Sequence, residues 1–154
     1  MSGILKIIKG RLMRRGLVSY SGRYLVYEYL TIEEADKTIV RIESVAMIPK
    51  MGVAIGKAVA FQFADAKKFN TFYEHQFLVA VQQKNEEILT DALILGAAAK
   101  ARNVVAYLSL IPPFTLIAPF TFKKARAIKD AYNEVGQFEP MEKNFIRKIK
   151  RRDL

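Results

Sequence analysis

The chain contains no cysteine, no tryptophan and a single histidine, His75. Without cysteine there is no disulfide framework, no thiolate nucleophile and no Cys-ligated metal site. A lone histidine also removes the usual His-pair zinc sites. The sequence has no Gly-x-Ser-x-Gly, no Walker-type loop and no Gly-x-Gly-x-x-Gly. The Gly52–Gly56 pair (Gly-Val-Ala-Ile-Gly) lacks the Lys-Ser/Thr that phosphate binding needs. His75 beside Glu74 reads as surface chemistry before a strand, and Glu33, Glu34 and Asp36 read as a polar reversal without EF-hand spacing. No catalytic residue, cofactor or metal ligand is therefore assigned, and an enzyme is the least favoured of three function classes.

A signal-peptide pattern is also missing. Ile4, Leu5, Ile7 and Ile8 are interrupted by Lys6, Lys9 and Arg11, so the first residues read as a strand of a mature chain with its N-terminus in the cytoplasm.

What is present pulls in two directions. The 154 residues hold 25 Lys+Arg against 15 Asp+Glu, a net charge of +10, with a pI near 9.8. Yet 51% are hydrophobic, and the mean hydropathy is +0.07. That apolar content excludes disorder for the bulk of the chain. The length suits one ordinary domain or a small domain with an appendage.

Up to about Gln83 the apolar pattern has period two. Strands are expected near Ile4–Met13, Tyr24–Leu30, Thr38–Met47, Ala58–Phe63 and Gln76–Gln82. Ser19-Tyr20-Ser21-Gly22 reads as a turn after the first strand, and Pro49 and Gly52 sit where the third should end. After Gln83 the character changes. Lys84-Asn85-Glu86-Glu87 suits a helix start, with the helix running to Asn103, and Lys123–Val135 suits a second helix with Gly136 as its C′ residue. Glu139–Arg152 forms a basic amphipathic tail in which Met141, Phe145 and Ile149 lie four apart. The expected fold is α+β: a small antiparallel sheet or barrel of OB or SH3-like scale over residues 1–83, then a helical membrane-associated region over 84–154.

Between the helices, Val104–Phe122 is nineteen residues without a charge. As one helix it would be about 28 Å long, close to a bilayer's hydrocarbon thickness. Pro112, Pro113 and Pro119 break it, so two apolar arms joined by a kink are expected, entering and leaving a membrane on one face. The segment is marked by Val104, Leu108, Pro112, Pro113, Leu116, Pro119 and Phe122. Cations at both ends, Lys100 and Arg102 before and Lys123, Lys124 and Arg126 after, suit a re-entrant hairpin better than a single span. Lys123, Lys124 and Arg126, with Lys143, Arg147, Lys148, Lys150, Arg151 and Arg152 of the tail, are the expected contacts to anionic lipid. The competing fold is a soluble α/β arrangement with a βαβ unit at 77–111, in which Val104–Ile111 is a buried strand.

Arg11, Arg14, Arg15, Arg23 and Tyr24, near Tyr20 and Tyr27, form the alternative face, which would bind single-stranded nucleic acid through phosphate contacts and stacking. Tyr24 and Tyr27 fall on opposite sides of a strand, so one platform cannot use both. The leading functional expectation is a non-enzymatic accessory or scaffold protein at the cytoplasmic face of a membrane. Its partners would be anionic lipids and a docked protein or a second copy, with nucleic acid less favoured.

Overall fold

The period-two runs become strands in a computed structural model that describes residues 3–68, 74–83, 87–112 and 114–137. Seven strands precede two helices: β1 Leu5–Arg15, β2 Val18–Ser21, β3 Tyr24–Glu34, β4 Ile39–Met47, β5 Ala58–Asp65, β6 Gln76–Gln83, β7 Leu89–Thr90, then α1 Leu93–Leu108 and α2 Ala118–Glu134. The expected turn at 19–22 lies slightly later. Val18–Ser21 pairs with β3, and the reversal falls at Gly22 and Arg23, where Gly22 supplies φ +59°.

The sheet is mixed, which corrects the purely antiparallel expectation. Its order is β1-β5-β6-β4-β3-β2, and β1 also pairs with β3, so the hydrogen-bonded strands return to their start. The parallel step is β4 to β6, with Val45 opposite Gln76 and Ala46 opposite Phe77. Gly10 sits where β1 is shared, paired with both Glu34 and Val59. A Cβ there would lie 2.5 Å from the Glu33 carbonyl oxygen, so closure at this point requires glycine.

Strands β5 and β6 are apolar on both sides, but the two sides differ in size. Val59, Phe61 and Phe63 of β5, with Leu78 and Val81 of β6, pack inside the ring against Ile8, Leu12, Leu30, Ile32 and Val45. Ala64, Phe77 and Val79, with Ala46 of β4, belong to a second cluster formed with Leu95 and Ala98 of α1 and Ile128 and Ala131 of α2. Small outward residues let two helices approach the sheet closely. Gln62 is buried in this layer: its Nε2 donates to the Glu134 carbonyl (3.2 Å), and its Oε1 accepts from the Gly136 N–H (2.8 Å).

The helices depart from expectation at their starts. Lys84, Asn85 and Glu86 lie outside the described residues, and Leu89–Thr90 pairs with β6 instead of forming a helical turn. The Asp91 N–H donates to the Val79 carbonyl (2.7 Å), holding the chain in the sheet until α1 begins. Helix α2 starts at Ala118, five residues before the expected Lys123. Pro119 occupies its first turn, where a missing N–H costs nothing, so the residue expected to break the segment begins a helix. Gly136 follows α2 at φ +81°, the left-handed residue anticipated there.

The α/β alternative is corrected as well. Val104–Leu108 continues α1, and those residues except Ala106 are exposed instead of forming a buried strand. A returning strand would also need a free sheet edge beside β6, which already pairs with β4, β5 and β7.

Candidate membrane-contact site

The two helices form an antiparallel hairpin. Gly96 of α1 faces the Tyr132 ring, Tyr107 meets Phe122 edge-to-face at 5.8 Å, and the Ser109 and Thr121 hydroxyls lie 2.9 Å apart. The half nearest the sheet is docked through Leu95, Ala98, Ile128 and Ala131. The other half, carrying most of the uncharged run, presents a tip.

Residue size is sorted there, small side chains inward and large apolar ones outward. Ala106, Ser109 and Ala118 are buried, with Ala125 two turns beyond Ala118 in α2. Val104, Val105, Tyr107, Leu108, Leu110, Ile111, Leu116, Ile117 and Phe120 face outward, with Leu116 at 86% and Phe120 at 76% exposure. Helix pairs in lipid are built this way, because small residues let backbones approach while large ones meet acyl chains. In water such a contiguous apolar surface marks an interaction site.

Two polar groups inside the tip are satisfied without solvent. Ser109 Oγ lies 2.5 Å from the Ala106 carbonyl and Thr121 Oγ1 2.9 Å from the Ala118 carbonyl. The two hydroxyl oxygens are 2.9 Å apart, so each hydroxyl proton has an acceptor inside the tip, its own carbonyl or the other hydroxyl. An unsatisfied hydroxyl in hydrocarbon is costly, and here both are consumed internally.

Charge returns at the margin on both arms. Lys100, Lys123 and Arg126 are exposed, and Arg102 and Lys124 are half-buried. From Val104 to the end of α1 at Leu108 the helix rises about 6 Å, less than the ~15 Å of one leaflet's hydrocarbon. Among the described residues no helix is long and apolar enough to cross a membrane.

Of the expected membrane-segment residues, Val104, Leu108, Pro112, Leu116 and Pro119 are exposed on the tip. Phe122 is half-buried against Tyr107, and Pro113 lies outside the described residues. Lys123, Lys124 and Arg126 stand at the tip's margin. Lys143, Arg147, Lys148, Lys150, Arg151 and Arg152 lie outside the described residues. The inward pairing of Ser109 with Thr121 was not read from the sequence. Its signal is that each hydroxyl lies three residues beyond an inward alanine.

The alternative face is divided. Arg11 pairs with Glu33 (3.6 Å), and Arg23 pairs with the buried carboxylate of Asp91 (2.8 Å) while its guanidinium lies 5.3 Å from the Tyr24 ring centre. Tyr24 is half-buried, edge-on to Phe77 at 5.2 Å, and Tyr27 is inside the ring of strands. Arg14 and Arg15 are exposed, and Tyr20 is 82% exposed. On β4 the Arg41 guanidinium stacks 3.9 Å from the Tyr29 ring centre, and its bond to Glu43 raises its pKa above the ordinary value.

Two of the residues set aside above are hydrogen-bonded. His75 Nδ1 is 2.6 Å from Ser44 Oγ. Asp36 Oδ1 accepts from the Thr38 N–H, closing the β3–β4 reversal. Among the described residues no three carboxylates or imidazoles gather as a metal site. No family model, curated protein or solved structure matches this chain.

Proposed function

We propose that this chain is a non-enzymatic, membrane-associated accessory or scaffold protein whose helical hairpin tip enters one leaflet and returns on the same face. The observation that carries the reading is the sorting of the tip: Ala106, Ser109 and Ala118 inward, Leu116 and Phe120 outward, with the hydroxyls of Ser109 and Thr121 2.9 Å apart between the arms. Lys123, Lys124 and Arg126 lie where anionic headgroups would meet the protein, and the basic tail adds charge of the same sign. Cations on both arms favour placing the sheet on the cytoplasmic side. There it would stand off the bilayer and dock a protein partner or a second copy.

Vesicle flotation tests this. The wild-type chain should float with anionic vesicles, and the pair Leu116→Asn with Phe120→Asn should lose most of that binding while keeping the same melting temperature. Equal flotation of the two proteins would refute the reading.

A second reading rests on the ring of strands. Five strands closing in the order β1-β3-β4-β6-β5, with one parallel pair, support a barrel of the OB kind, a frame that commonly binds oligonucleotides. Arg14, Arg15 and Tyr20 are its exposed candidates. It requires steeply salt-dependent binding to single strands, and absence of binding at low salt would exclude it.

A further inference from the structure

Between α1 and α2 lies an open groove of about 640 Å³ lined by Gly96, Lys100, Asn103, Lys129, Tyr132 and Asn133, among others. Three features of the groove converge. Gly96 lacks the Cβ that would stand 3.1 Å from the Tyr132 ring, so the ring lies against α1 as one wall. In the register that pairs Gly96 with Tyr132 and Tyr107 with Phe122, Lys100 stands across from Lys129 at one level. No carboxylate is among the lining residues, and two asparagine side chains supply amide donors beside the two ammonium groups.

Position along the hairpin selects the ligand. Lys100 lies one turn, about 6 Å, behind Val104, where the apolar tip begins. The headgroup layer of a bilayer is about 5–7 Å thick on each side. A tip inserted to Val104 therefore sets both lysines at the level of the lipid phosphates. Below the groove, Val104 and Tyr107 are exposed and continue its α1 wall toward the tip, offering a track for acyl chains. We infer that this groove seats the phosphate of an anionic lipid, and that a phosphomonoester headgroup suits it best because two cations without an opposing carboxylate match a dianion. The inference rests on the membrane reading of the tip and adds a headgroup preference to it.

Flotation with three vesicle types tests the inference: phosphatidylcholine alone, phosphatidylcholine with phosphatidic acid, and phosphatidylcholine with phosphatidylserine at matched surface charge. The wild-type chain should prefer phosphatidic acid. The pair Lys100→Gln with Lys129→Gln should bind those vesicles about 10- to 30-fold more weakly and lose the preference over phosphatidylserine. The pair Lys50→Gln with Lys57→Gln, which removes equal charge from exposed sites on the sheet region, should keep it. Equal losses in the two double variants would mean diffuse attraction and overturn the groove assignment, as would an intact preference in the Lys100/Lys129 variant. Wild-type binding to all three vesicle types without preference would overturn the groove and leave the tip reading standing. No binding to any vesicle would overturn both. Amide shifts at Gly96 and Tyr132 on adding glycerol phosphate, with no vesicle preference, would assign the groove to a free phosphate and reject the lipid.

Discussion

Single residues decide how the helices are joined to the sheet. Gln62 is a polar residue in an otherwise apolar outward row, and its amide satisfies both a carbonyl and an N–H at the end of α2. Gln62→Leu should leave those two groups unpaired in a buried layer and destabilise the fold by about 1–3 kcal/mol. Urea denaturation measures this, and an unchanged midpoint would mean that water replaces the amide. Gly10 is equally constrained by the Glu33 carbonyl, so Gly10→Ala should lower the midpoint by forcing β1 away from β3. Neither role was visible beforehand. A Gln between two phenylalanines looks like an ordinary strand residue, and its partners lie over seventy positions away.

At the scale of elements, the strand runs were legible because alternation has an unambiguous period, and all five expected strands start within one residue of those observed. Helix starts were not. Acidic residues at 86–87 suit the positive end of a helix dipole, but β6 offers Leu89 and Thr90 a hydrogen-bonded edge that local propensity does not register. Pro119 was read as a break because a proline inside a helix removes a bond, whereas in a first turn it removes nothing. The hairpin has its own test. The chain has no cysteine, so single cysteines at positions 100, 116 and 126 report one site each. In sealed vesicles 100 and 126 should label from outside with a charged maleimide, and 116 should be protected. Labelling of 100 and 126 from opposite sides would mean that the chain crosses the bilayer.

For the whole molecule, the shared cluster of Ala46, Ala64, Phe77, Val79, Leu95, Ala98, Ile128 and Ala131 ties the base of the hairpin to the sheet. The tip contributes none of these residues. Replacing Val104–Phe122 by a short polar linker should therefore keep the β-sheet circular dichroism and a cooperative melt while abolishing flotation. Ending the chain at Gln83 should instead expose the outward faces of β5 and β6 and yield an aggregating protein, as seen by light scattering. If the linker variant still floats, the anchor lies elsewhere, and the basic tail is the first place to look.

The sequence by itself determined where the strands run, that one segment is free of charge, and that cations stand on both sides of it. Those are local properties of composition and period, and they survive in any fold. Tertiary structure decided the parallel pairing of β4 with β6, the closure through β1 and β3, and which way the described residues of the uncharged run face. These depend on which distant segments meet. A run of apolar residues has the same composition as a buried strand, a core helix or an inserted tip. In the hairpin, where Ser109 meets Thr121 and Tyr107 meets Phe122, Ala106, Ser109 and Ala118 face inward and Leu116 and Phe120 face out.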